Sequence, residues 1–240
     1  MKTMKIQSLL VLLILMGATL SVHAAKEKTK SELRDVSAFS GIHVSSGIDL
    51  YVTQGKSQEV RVEAESDLIG KIITQVENGV LKISIKDKMN WDLGWNQTRK
   101  VYVTFVDLQE LYASAGSDVF SQNPFKLKEL KISSSSGSDV QIGGLSAEFV
   151  SVITSSGADA KVSGKTIRMY GDASSGSDLN CRELVSEDCD VRASSGSDAM
   201  VHATGSIKAH ASSGGDVRYA GKPVHRDVDE SSGGKVAGSE

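Results

Sequence analysis

The sequence predicts an all-β solenoid. Three observations carry that expectation: a small polar turn recurs at nearly constant spacing, the residues between turns alternate with a period of two, and glycine far outnumbers proline. SSGSD stands at 135–139, 174–178 and 194–198, with near copies elsewhere. Marked by the central glycine, the copies fall at Gly116, Gly137, Gly157, Gly176, Gly196, Gly214 and Gly233, with an earlier outlier at Gly47. Successive gaps from Gly116 are 21, 20, 19, 20, 18 and 19 residues, a period that assigns one supersecondary unit to each repeat. The 23 glycines, 2 prolines and 5% aromatic residues fit such repetition better than an ordinary globular domain.

The chain opens on MKTMKIQSLLVLLILMGATLSVHA, in which two lysines precede an apolar run from Leu9 to Met16 and small residues close the segment. This reads as a secretory signal, cut after Ala24, because the apolar core is short for a membrane span. No cysteine stands at the junction to accept a lipid. Without Lys2 and Lys5 the chain carries 25 basic against 30 acidic residues, so its formal charge goes from −3 to −5. That balance argues against nucleic-acid binding, which leans on clustered Lys and Arg. The expected location is exported: periplasm, cell surface or extracellular space. No transmembrane segment is expected in the mature chain, residues 25–35 read as a short linker, and 36–240 read as one domain.

From Phe39 to Phe105 the sequence is β-rich but irregular. Ile48 to Val52, Val60 to Ala64, Ile72 to Val76, Leu81 to Ile85 and Val101 to Phe105 alternate or are β-branched, separated by Gly, Asn, Asp and Lys. They read as longer coils that include the cap a solenoid needs, with a short helix at Ser66 to Ile73 as the alternative. Beyond Leu111 the pattern is regular. The third and fifth residues after each marker glycine are Val140 and Ile142, Ala160 and Val162, Leu179 and Cys181, Ala199 and Val201, Val217 and Tyr219. The seventh, fifth and third residues before it give a second inward strand that tapers to small side chains, as in Val150, Val152, Thr154 and Ile207, Ala209, Ala211. Each repeat is therefore strand, turn, strand and SSG corner, and stacking at about 4.8 Å puts equal offsets in columns within one core. At the corner, glycine takes φ > 0 and Ser and Asp bond local backbone. The tail ESSGGKVAGSE reads as a fading last coil whose edge is open to a second copy.

The blocks FSGIHVSSGIDLYVTQG (39–55), SDLIGKIITQVENGVLKISI (66–85) and VYVTFVDLQELYASAGSDV (101–119), followed by the 20-residue repeat, resemble the head GIN domain of autotransporter adhesins, common in exported Bacteroidetes proteins. The resemblance covers nearly the whole mature chain. It implies a right-handed single-stranded β-helix and a role in adhesion, and it brings no catalytic residues.

Candidate sites follow from the residues. The second residue after each marker is Asp49, Asp118, Asp139, Asp159, Asp178, Asp198 and Asp216, with Lys235 breaking the series. In a solenoid these line one edge. The first reading is that each carboxylate is bonded at its own corner; the sharper one is a Ca²⁺-collecting edge at Asp139, Asp159, Asp178 and Asp198, and a third is a glycan-facing surface. No other cofactor is expected. Trp91 and Trp95 lie in the polar insertion KDKMNWDLGWNQTRK and are candidates to contact a glycan or a cell-surface protein, or else to cover the core end. Cys181 and Cys189 occupy inward offsets of one coil, as a disulfide or as two buried thiols. His202, His210 and His225 fall at differing offsets and read as surface residues.

The functional expectation is a non-catalytic binding or adhesion protein. The first alternative is a carbohydrate-active lyase or hydrolase using Asp178 with Arg182, or Asp188 and Asp190 with Arg192; a structural envelope protein is the second. Regularity weighs against catalysis, since these acids recur in coil after coil, whereas catalytic groups sit on unique loops.

Overall fold

The structure of the protein is a computed structural model that describes residues 29–86 and 97–238. It is nearly all β, a solenoid of about six turns of roughly 20-residue coils. The predicted signal segment and the Trp91/Trp95 insertion lie outside the described residues.

The regular coils come from the predicted alternation. The strands β10 (Glu129–Ser135), β11 (Asp139–Ser155), β12 (Asp159–Ser174), β13 (Asp178–Ala193) and β14 (Asp198–Ala211) pair in parallel, each with the next, and β14 continues onto β15 (Asp216–Ala220) and β16 (His225–Glu230). A last strand, β17 (Lys235–Gly238), pairs with β15. Register follows the glycine markers: Val140, Ala160, Leu179, Ala199 and Val217 stack rung on rung, all at most 2% exposed. The taper is also present, with Thr154, Ala173, Ala193 and Ala211 buried where two strands converge on the corner. Each fully buried Val or Leu contributes about 1.5–3 kcal/mol relative to exposure. In the last coil the inward offsets are Arg226, Val228 and Glu230, all exposed, so the core ends there.

The N-terminal half departs from the expected run of longer coils. Its strands are β1 (Thr29–Arg34), β2 (Gly41–Val44), β3 (Asp49–Gln54), β4 (Glu59–Glu65), β5 (Ile72–Glu77), β6 (Val80–Ile85), β7 (Arg99–Phe105), β8 (Glu110–Ala113) and β9 (Asp118–Ser121). Strand β4 is antiparallel to both β1 and β7, and β5–β6 is an antiparallel hairpin. Of the helical alternative at Ser66 to Ile73 only a 3-10 turn, Ile69–Lys71, forms before β5 begins. Spatial order also differs from chain order. The coil of β2 and β3 is sandwiched between β6/β7 on one side and β8/β9 on the other. Gly47, the outlier in sequence, is thereby a regular rung directly beside Gly116, whose corner accepts the Gly47 N–H through the Ala115 carbonyl at 3.0 Å.

Candidate functional site: an aspartate ladder and two troughs

The corner explains why SSGSD recurs. Its second serine and its glycine both adopt left-handed backbone, as in Ser136 (φ 55°) and Gly137 (φ 66°), which turns the chain sharply. The glycine N–H still donates to the carbonyl at the next corner, Gly137 to Ser156 at 3.2 Å and Gly176 to Ser195 at 3.1 Å, so the sheet ladder runs through the bend. The third serine points inward. Ser138 Oγ accepts the Ser135 N–H at 3.1 Å and donates to the Ala113 carbonyl of the adjacent coil at 3.0 Å. Ser197 repeats this with the Ser194 N–H at 3.0 Å and the Ala173 carbonyl at 2.7 Å. These hydroxyls are 0–1% exposed and join corner to corner. They are therefore turned away from the aspartates.

The aspartates form a ladder in strict register: Asp49, Asp118, Asp139, Asp159, Asp178, Asp198 and Asp216. Both ends meet a lysine, Lys100 beside Asp49 and Lys235 beside Asp216. Burial, then neighbouring carboxylates, push Asp118, Asp139 and Asp178 above the usual carboxylate range. Asp49 is also raised by burial, with Lys100 and Arg99 opposing. The backbone N–H groups of Asp139 and Asp159, which donate to the Ser117 and Ser138 carbonyls, offset part of the rise at Asp118 and Asp139. Among the described residues no three His, Cys, Asp or Glu side chains gather in a group that could hold a metal ion. A narrow trough of about 230 Å³ separates the middle rungs from Gln141, Lys161, Asn180 and Met200.

Two residues beyond the N-terminal rungs stands an aromatic stack. Tyr51 lies between Tyr102 (5.0 Å, 18°) and Phe120 (5.5 Å, 27°), and the Arg61 guanidinium covers Tyr102 at 4.0 Å. Because the rings face one another, the stack offers mainly edges to solvent, and each pair contributes about 0.5–1.5 kcal/mol beyond area burial. The shared pattern in Asp49-Leu50-Tyr51, Lys100-Val101-Tyr102 and Asp118-Val119-Phe120 was the available signal for both the stack and the lysine end.

The face before the corners is different in kind. There Asp172, Arg192, His210 and Asp229 stand in register, so Arg192 and His210 lie between two carboxylates, and His210 Nδ1 and Asp229 Oδ2 are 2.8 Å apart. Asp188 and Asp190, weighed above as catalytic acids, belong to regular columns here: Ser206 donates to Asp188 at 2.6 Å, and Arg192 lies 3.9 Å from Asp190. A second trough of about 680 Å³ runs over this face from Phe149 to Asp227. Cys181 and Cys189 are both free, buried thiols in this structure. Burial raises both, Cys189 to about 12.

Residues 38–223 match the family described as "putative auto-transporter adhesin, head GIN domain". The chain belongs to the head GIN domain family. Solved structures resemble this head GIN protein over most of its length. A "putative adhesin" from Bacteroides fragilis superposes with a TM-score of 0.82 at 18% identity, covering 89% of this chain and 98% of that one. A "putative adhesin" from Parabacteroides merdae gives 0.67 at 18% identity, covering 90% and 98%. A "putative lipid binding protein" from Parabacteroides distasonis gives 0.64 at 16% identity, covering 90% and 98%. At these identities the likeness establishes the fold. No curated protein matches the chain.

Proposed function

We propose that this head GIN protein is an exported, non-catalytic binding protein whose stiff, repetitive β surface attaches to a glycan or a cell-surface protein. Family membership supports binding and adhesion at the coarse level. The observation that carries the finer reading is the aspartate ladder: acids recur at the same offset in seven rungs, and Asp188, Asp190 and Arg192 are paired in register with the coils on both sides. Export rests on the charged, then apolar, opening segment. Among the described residues no helix is long and apolar enough to cross a membrane. Trp91 and Trp95 stay proposed contact residues on the insertion, and 25–240 the proposed mature chain.

The test is binding of the fluorescently labelled mature chain to intact bacterial and epithelial cells, counted by flow cytometry. Saturable binding, competed by unlabelled protein, is the expected result. Signal that neither saturates nor is competed, on every cell type, refutes the adhesion reading.

A further inference from the structure

The larger trough runs parallel to the solenoid axis between two ridges of outward side chains. One ridge is Phe149, Arg168, Asp188, Ser206 and His225 in continuous register. The other is Tyr170, Asp190, Lys208 and Asp227. Five coils contribute, so four sheet spacings give a length of about 19 Å. Three cations (Arg168, Lys208, Arg226) balance three carboxylates (Asp188, Asp190, Asp227) along it, in contrast to the single-signed ladder on the other face. Apolar surface is placed at both ends, Phe149 at one and Val224, 78% exposed, at the other.

Resting on the binding function proposed above, we infer that this trough is a subsite for an extended, neutral, hydroxyl-rich glycan of about four sugars, one per coil spacing. A polyanion needs clustered cations, and here Arg168 stands one rung from Asp188, and Lys208 stands between Asp190 and Asp227. An extended peptide gains its affinity from an open strand edge. On this face the strands' N–H and C=O groups are already spent in the ladder between coils, so a peptide lying along the axis finds no backbone partners. Sugar hydroxyls donate and accept at once; along the trough the donors Arg168 and Lys208 and the acceptors Asp188, Asp190 and Asp227 lie on neighbouring coils, so one chain of hydroxyls meets both roles in turn. A pyranose is about as long as the coil repeat, so successive sugars fall beside successive coils.

The test uses calorimetry on the mature chain with neutral β-linked gluco-, xylo- and manno-hexaoses, the matching disaccharides, and polygalacturonate. Two variants accompany it: Asp190→Ala/Lys208→Ala in the trough, both outward-facing, and Asp159→Asn on the ladder as control. At least one neutral hexaose series binds, its disaccharide at least tenfold more weakly; the trough variant loses at least tenfold while Asp159→Asn stays within twofold. The inference is overturned if no neutral series binds, if binding survives the trough variant with its circular dichroism unchanged, or if polygalacturonate is preferred. Cell binding that persists alongside any of those outcomes leaves the adhesion reading standing and removes only this site.

Discussion

An inner rung of the ladder opposes folding at neutral pH, and Asp139→Asn should therefore stabilise the protein. Asp139 stands between Asp118 and Asp159, one sheet spacing from each. Two unit charges about 4.8 Å apart repel by about 0.9 kcal/mol in bulk water. A Debye length of about 8 Å at physiological salt roughly halves that, leaving about 1 kcal/mol for two neighbours. In the unfolded chain these rungs are some twenty residues apart and the term is small. Burial and the Asp159 carboxylate hold Asp139 above its ordinary value of 3.8, so the folded chain binds the extra proton. Stability from this group is thus present below that ordinary value and lost as pH rises through the raised one. Urea unfolding should show Asp139→Asn more stable by about 1 kcal/mol at pH 7, with the gain shrinking in 1 M salt and vanishing near pH 3. At the end of the ladder Asp216 has Lys235 beside it and Arg218 3.4 Å away, so Asp216→Asn should be neutral or destabilising. Destabilisation by Asp139→Asn at pH 7 would refute the reasoning, making the bond from the Asp159 N–H outweigh the repulsion.

Four further outcomes follow from local geometry. Gly176 has φ +66° with open space where a Cβ would stand, so Gly176→Ala should cost only the left-handed penalty, about 1–2 kcal/mol in urea unfolding. Gly164 has φ +133° and a Cβ there would lie 2.0 Å from the Leu145 carbonyl oxygen, so Gly164→Ala should cost more, at least about 3 kcal/mol, or abolish soluble expression. Leu130→Ala removes a fully buried side chain and should lower stability by about 2–5 kcal/mol. Cys181 and Cys189 should resist iodoacetamide at pH 8 in the folded protein and react in denaturant, read by mass spectrometry; absence of labelling in denaturant until reductant is added would show that export oxidises them to a disulfide.

Where side chains repeat, sequence was sufficient. The offsets of Val140, Ala160 and Leu179 from their glycines placed them in the core because period-two alternation and a constant coil length leave one solution. The permuted stacking was not legible, since the 68 residues between Gly47 and Gly116 hold two antiparallel elements whose pairing depends on tertiary contacts. That serine at the corner bonds local backbone was legible; that the third serine is the one buried, bonding the Ser135 N–H and the Ala113 carbonyl of the adjacent coil, was not, because that second partner is distant in sequence. Spacing gave the aspartate ladder and its Lys235 end but not the Lys100 end, because Lys100 belongs to a coil with no SSG marker. The neutral trough was hidden for a similar reason: its charges balance across coils, and a linear reading shows only scattered Asp, Arg and Lys.

Binding without bond cleavage is the central claim, and one experiment addresses both halves. The mature chain is incubated with insoluble and soluble polysaccharides, and the bound fraction is measured together with new reducing ends and unsaturated products. Retention of the protein with no product above a heat-denatured control is the expected result; product release that one substitution, Asp188→Asn or Asp190→Asn, abolishes would contradict the account and make this solenoid an enzyme.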